Sequence, residues 1–479
     1  MRLIAALLLA AGASAAAAEK PAPLPRRLDA ILDRPAFAPA FWGVEVRNVR
    51  TGRILYARNA EKNFKPASSL KVVTTAAALD AFGPDARFQT TVETAGRLDA
   101  FGRIVGDVYL VGGGDPNLSG RFHEGRAIAP FEQLAAQMEG AGVRRIEGRV
   151  LGHEGLFAGD RRGEDWAWGD LVWCYGAEVS ALALNDNCVD LTVAPGEREG
   201  DAVVIGASPP STYYRIVSTA TTSARGAPGQ LRVERDLGGN VIRLSGTHAI
   251  GQRPWQGSVA LEDPARFAAT VFREVLAAKG IIVTGEADTL AAPLPATRRI
   301  LASLESAPVS ELISTINKKS QNLHTEMLLR LLGARRGGVG TLESGSEAVE
   351  EFLHRLGVRN EAWQLQDASG LSRSDLLSPH EMVTLLVAMD RHPHAAAFRA
   401  SLPVAGIDGT LDARMKGTAA EGRVQAKTGT IRNVNALAGY ATARNGDRLA
   451  FYAVVNNHTT EGSDAVAALD ALAAVLAGS

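Results

Sequence analysis

Alternation of apolar and polar positions marks both ends of the chain as sheet. Residues 41–49 and 53–57 alternate on either side of a turn at Arg50-Thr51-Gly52, which is the pattern of a hairpin. A clearer hairpin is predicted from 436–443 and 448–456, joined at Asn445-Gly446, a dipeptide suited to the positive φ of tight turns. Residues 424–430 read as a strand leading into that hairpin, and 464–477 as an apolar helix after it. The two ends therefore predict one antiparallel sheet. Packed against it would be a helix whose first turn begins near Ser68, where Pro66 and small residues precede the uninterrupted alanine- and leucine-rich run 72–79.

The middle has another texture. Between 86 and 304, short β-like runs at 89–94, 106–111, 146–152, 189–193, 202–205 and 241–244 are separated by Gly, Pro, Asn and Asp, and two helices stand out at 130–141 and 264–279. Helical patterns return at 308–316, 323–332, 342–356 and 379–389. The expected class is α+β: one domain from 28–85 plus 305–479, with an antiparallel sheet flanked by helices, and an inserted β-rich region of one or two domains at 86–304. No internal repeat or long low-complexity linker interrupts it.

Composition narrows the function. The 479 residues are 46% hydrophobic and 22% charged with a net charge of −1, so the chain can bury a sizeable core and carries no basic footprint for nucleic acid. Met1-Arg2, an apolar run at 3–11 and small residues at 13–18 form a cleavable export signal over 1–18, ending in an A-x-A-like site near Ala16-Ala17-Ala18. No later stretch is long enough for a transmembrane anchor. The C-terminal helix lacks Lys and Arg, so it offers no basic membrane-surface face. Export leaves Cys174 and Cys188 two readings, a disulfide adding about 3 kcal/mol or a pair of buried thiols, and two cysteines without a second metal-type pair make zinc improbable.

The candidate chemistry begins at Ser68 and Lys71, which share one helix face. Taken alone, Ser68 is an ordinary N-cap and Lys71 a solvated charge. Ser320-Gln321-Asn322 alone reads as a helix start, and Lys427-Thr428-Gly429 as an edge strand. Gly112-Gly113-Gly114-Asp115 reads as a tight turn, since a phosphate-binding G-x-G-x-x-G needs glycine where Asn117 stands.

The ordered set of three changes the picture. Ser68-x-x-Lys71, Ser320-x-Asn322 and Lys427-Thr428-Gly429 together resemble the active-site motifs of penicillin-recognising serine D,D-peptidases and β-lactamases. The stretches Gly106 to Pro116, Asp367-Ala368-Ser369-Gly370-Leu371-Ser372-Arg373 and Leu402 to Leu411 are similar to one subgroup, the low-molecular-mass class C penicillin-binding proteins of the penicillin-binding protein 4 type. The long interval between Ser68 and Ser320 fits that subgroup, which carries its extra domains there. Gln321 departs from the pattern, in which aspartate is usual.

The resemblance implies a periplasmic D-alanyl-D-alanine carboxypeptidase/endopeptidase acting on peptidoglycan stem peptides, acylated by β-lactams, and needing no cofactor or metal. It implies Ser68 as nucleophile, Lys71 as base, Ser320 as proton donor to the leaving nitrogen and Asn322 as a positioning group. Lys427, Thr428 and Thr430 would take the substrate carboxylate beside Gly429, and the N–H groups of Ser68 and Thr430 the oxyanion. No histidine sits in a diagnostic arrangement, so the lysine must lose its proton, helped by partial burial and by the charge of Lys427. Two alternatives stand beside this reading: a serine β-lactamase, disfavoured because no Glu-x-x-x-Asn lies between 323 and 426, and a catalytically idle peptidoglycan-binding protein of the same fold.

Overall fold

The computed structural model describes residues 22–358 and 363–479; the expected export signal lies outside them. A five-stranded antiparallel sheet is built from both ends of the chain. Its strands are β1 (Phe41–Asn48), β2 (Ile54–Arg58), β3 (Val424–Ile431), β4 (Val434–Thr442) and β5 (Arg448–Asn456), in the order β2-β1-β5-β4-β3. The N-terminal strand β1 therefore pairs with the C-terminal β5 over eight residues, Phe41 against Asn456 through Asn48 against Leu449.

Both faces of this sheet are covered, and period-two alternation assigns the residues of β5 to opposite cores. Ala450, Tyr452 and Val454 face one cluster, while Leu449, Phe451, Ala453 and Val455 face the other. The second face is closed by the last helix of the body, Gly462–Ala477, and by α1 (Leu24–Leu32), whose Leu28, Ile31 and Leu32 join the same core. The sequence reading began this body at residue 28 and missed α1. Only three of its nine residues are buried, a face too short to register as a pattern.

The first face holds α2 (Lys71–Phe82), in which every residue from Lys71 to Leu79 is buried. A helix apolar on all sides must be surrounded, and α2 is: α3 (Val309–Lys319), α4 (Asn322–Gly337) and α5 (Leu342–Arg355) enclose it with the sheet. Its polar exceptions are satisfied locally. Thr75 Oγ1 donates to Lys71 O at 2.7 Å, and Thr74 Oγ1 to Ala368 O at 3.1 Å. Each large apolar side chain buried here contributes about 1.5–3 kcal/mol. Helices α6 (Pro379–Asp390) and α7 (Ala395–Ser401) complete the layer, and Gly462–Ala477 becomes α8.

The middle of the chain leaves and returns on adjacent strands, Gln89–Thr94 pairing with Arg299–Glu305. Most of it is short strands, as expected, but several pair in parallel. Val108–Val111 lies parallel to Val150–His153 across the helix Ala129–Gly140, and Val150–His153 parallel to Ala287–Thr289 across Pro264–Ala278. The run expected at 146–152 is two strands, Arg145–Glu147 and Val150–His153. Gly148 breaks it where the backbone passes so near Gly106 that a Cβ would sit 2.2 Å from Gly106 O. Cys174 and Cys188 form a disulfide with Cα atoms 5.7 Å apart. The region meets the body through Trp166, Val179 and Ala183, which pack on Leu323, Met327 and Leu371.

Candidate active site

Three remote segments of the body meet at one cleft. The first is the 3₁₀ turn Ala67–Leu70, which runs straight into α2. It leaves Ser68 half-buried at the cleft wall and Lys71, one turn on, wholly buried behind it. Lys71 Nζ stands 2.8 Å from Ser68 Oγ and donates to Asn322 Oδ1 at 2.7 Å and to Ser369 O at 2.6 Å. Two acceptors match the two hydrogens of an uncharged amine and leave its lone pair facing the Ser68 hydroxyl.

The electrostatics point the same way. Burial pulls Lys71 down to about 7, against the buried carboxylates of Asp367, Glu326 and Asp375, which favour its charge. Glu326 is itself pushed up to about 7 by burial and by Asp367, opposed by Arg330. The expected contribution of Lys427 to depressing Lys71 gives way to burial as the cause. Lys427 is also fully buried and is held well below the usual lysine range, by burial first and by Lys71 second.

The second segment is the corner between α3 and α4. Ser320 ends α3 with φ 60°, a left-handed conformation that non-glycine residues rarely hold, and Asn322 opens α4. The corner turns Ser320 toward the sheet and Asn322 toward Lys71. Asn322 also donates through Nδ2 to Tyr175 O at 2.8 Å.

The third segment is the edge strand β3. Lys427 Nζ donates to Ser320 Oγ and to Thr428 O, both at 2.8 Å. Thr428 Oγ1 bonds to Thr410 Oγ1 at 2.9 Å, and Asn435 Nδ2 donates to Thr430 Oγ1 at 3.1 Å. Gly429 is required by close approach: a Cβ there would lie 2.7 Å from Pro66 O and 3.1 Å from Ser69 N. The structure thus brings the five residues to one cleft in two hydrogen-bonded sets, Ser68–Lys71–Asn322 and Ser320–Lys427, with Thr428, Gly429 and Thr430 alongside. Ser68, Ser320, Asn322 and Thr430 line a cavity of about 590 Å³, whose rim carries Arg373 and Arg432.

A fourth segment, the turn at 367–372, closes the back of the site. Asp367 accepts from the N–H groups of Ser369, Gly370 and Ser372 at 2.9, 2.6 and 2.7 Å, and from Trp166 Nε1 at 2.9 Å. Glu326 accepts from the N–H groups of Ala368 and Ser369, each at 3.0 Å. These two carboxylates fix the Ser369 carbonyl against Lys71. Gly370, at φ 77°, lies so near the Ser68 turn that a Cβ would fall 1.9 Å from Ala67 O.

The family resemblance includes this turn but implies no role for its residues. Two carboxylates whose partners are backbone N–H groups leave no periodic signal; the Asp-x-Ser-Gly pattern of a side-chain-capped turn was the available hint. Tyr175 and Thr410 were missed because each contributes through a contact remote in sequence. Among the described residues no cluster of three or more His, Cys, Asp or Glu side chains could hold a metal.

Residues 24–477 match the D-Ala-D-Ala carboxypeptidase 3 (S13) family over nearly the whole described chain. The protein belongs to that family. An S13 relative, the D-alanyl-D-alanine carboxypeptidase of Actinomadura sp. (strain R39), is 35% identical over 462 residues, covering 94% of this chain and 84% of its own. The crystal structure of penicillin binding protein 4 from Haemophilus influenzae superposes with a TM-score of 0.81 at 25% identity, covering 94% of this chain and 97% of that one. A second structure of the H. influenzae protein, complexed with a novel β-lactam, gives a TM-score of 0.74 at 24% identity, covering 91% and 94%. This S13 member is a serine-type D-Ala-D-Ala carboxypeptidase of α+β, penicillin-binding fold.

Proposed function

We propose that Ser68 carries the acyl group and that Lys71 is the base that arms it. The observation that bears this reading is the wholly buried Lys71 amine, 2.8 Å from Ser68 Oγ with its two other contacts accounted for by acceptors. A hydroxyl attacks an amide only when its proton has somewhere to go, and an amine held near 7 takes it at neutral pH.

The substrate is a peptidoglycan stem peptide ending in D-Ala-D-Ala. Its terminal carboxylate docks at Lys427, Thr428 and Thr430, and the new negative charge restores the ammonium of Lys427, which burial otherwise disfavours. A charged Lys427 in turn opposes protonation of Lys71, so binding keeps the base free. Ser68 Oγ then bonds to the scissile carbonyl carbon while its proton passes to Lys71. The N–H groups of Ser68 and Thr430, both on the cavity wall, hold the oxyanion. As the C–N bond breaks, Ser320 gives its proton to the departing nitrogen and recovers one through Lys427, 2.8 Å away. The proton that Lys71 took replaces, by way of Lys427, the one Ser320 gave up, which frees Lys71 again; water then adds to the ester carbonyl as Lys71 takes its proton and returns it to Ser68 Oγ, releasing the shortened peptide.

A D,D cross-link presents the same D-centre carboxylate and amide, so the same site cuts it when the cleft admits the second peptide. β-Lactams acylate Ser68 by the same attack, as the complex of the H. influenzae protein with a β-lactam suggests by analogy. They leave slowly, because the Glu-x-x-x-Asn pair of many serine β-lactamases is missing between 323 and 426. Action in the periplasm follows from the export signal at 1–18, and no helix of the described residues is long and apolar enough to cross a membrane.

Ser68→Ala tests the reading. It is expected to abolish both D-alanine release and covalent labelling by a fluorescent penicillin while the thermal unfolding midpoint stays close to wild type. Labelling that survives the substitution sinks the assignment, and rapid turnover of the label by wild-type protein would favour a β-lactamase.

A further inference from the structure

The middle region reaches the active site at a second place besides Tyr175. Its turn Asn185-Asp186-Asn187 reaches across to the corner that carries Ser320 and Asn322. Asp186, almost fully buried, accepts from His324 Nε2 at 2.8 Å and from Gln321 Nε2 at 3.1 Å, and is paired with Arg121 of its own region. Burial favours the neutral acid, yet His324 and Arg121 outweigh it and hold the carboxyl below its usual range, so Asp186 is an anion.

The turn is built to aim that anion. Asn185, Asp186 and Asn187 stand at φ 48°, 57° and 57°, three consecutive left-handed residues without a glycine, which persist only when their surroundings enforce them. The Cys174–Cys188 disulfide supplies part of that enforcement, its sulfur atoms lying 3.7 and 3.0 Å from Asp186 O. Tyr175, next to Cys174, is the residue whose carbonyl accepts from Asn322. One disulfide-braced unit therefore grips Gln321, Asn322 and His324 together.

We infer that Asp186 is a positioning residue: by holding Gln321 and His324 it orients the first turn of α4 and so delivers Asn322 Oδ1 to Lys71, an inference that rests on the reaction proposed above. It also explains why position 321 is an amide here rather than the usual aspartate. The Gln321 side chain must donate to a carboxylate, and an aspartate in its place would set two anions against each other.

The test exchanges the two groups. Asp186→Asn and Gln321→Asp are each expected to slow acylation by a fluorescent penicillin and to lower kcat for D-alanine release by about tenfold, the effect of one lost charge-assisted hydrogen bond, with KM changed less than twofold. The double variant Asp186→Asn, Gln321→Asp restores an amide facing a carboxylate and is expected to recover most of the lost rate. All rates are taken per protein molecule that labels at long times, so a loss of folded protein is not counted as a loss of rate. Single variants that label at the wild-type rate overturn the inference, as does a double variant no faster than the product of the two single losses. Wild-type protein that neither labels nor releases D-alanine would instead overturn the proposed reaction.

Discussion

The body and the middle region treat their polar groups in opposite ways. The body buries Lys71 with three acids, Asp367, Glu326 and Asp375, in one hydrogen-bonded cluster and a second lysine, Lys427, at the facing strand, where charge is costly and each partner counts. The middle region keeps most ion pairs at its surface, such as Arg103 with Asp99 and Arg149 with Asp107, which are worth little individually. It lends the site a few groups, among them the Tyr175 carbonyl, the Asp186 carboxylate, the Trp166 indole N–H and, on the cavity wall, Asp170. Reactivity is thus assigned to one region by burial, and alignment is shared with the other through contacts at its border.

Four measurements would break or sharpen that contrast. Lys71→Met keeps the volume of the side chain and removes the amine; acylation by a fluorescent penicillin should fall about 10³-fold, within the range of a lost general base, while the protein still folds. Acid should disarm the same amine in the wild type. With Lys71 at about 7, the acylation rate should drop by about tenfold for each pH unit below that point and level off above it, in a stopped-flow profile. A profile flat from pH 5 to 8 would assign the base elsewhere.

The remaining two act on the middle region. Cys174→Ser with Cys188→Ser should cost about 3 kcal/mol of stability in denaturant unfolding, with a far smaller loss of rate in the folded fraction than Lys71→Met gives. Trp166→Phe removes one N–H donated to Asp367 and should cost about 1 kcal/mol, with acylation slowed only slightly. Equal damage from Trp166→Phe and Lys71→Met would erase the distinction between the regions.

Much of the body was legible because its signals are local. The hairpin at Asn445-Gly446, the buried run after Ser68 and the strand carrying Lys427 each announce themselves by periodicity or turn chemistry, and the α+β fold follows from them. The meeting of the three motifs came from their order and their resemblance to a family, since no spacing of residues predicts a fold contact across the whole of 86–304. What stayed hidden has a common physical character. Asp367, Glu326 and Asp186 act through backbone N–H groups or through residues far away in sequence, and an isolated acid in a linear chain looks like a solvated charge. The parallel strands of the middle region were equally silent, because pairing direction is decided by the crossover helices rather than by the strands themselves.

Gly370 leaves one route of escape closed. With the Ala67 carbonyl lodged where a methyl group would go, no side chain at 370 can thicken the wall behind Ser68 without dislodging the turn that carries it. Variants selected under antibiotic pressure should therefore spare this position and cluster on the outer lip, at Arg373 and Arg432, where a bulky drug can be obstructed while a slender D-alanyl terminus still slips past.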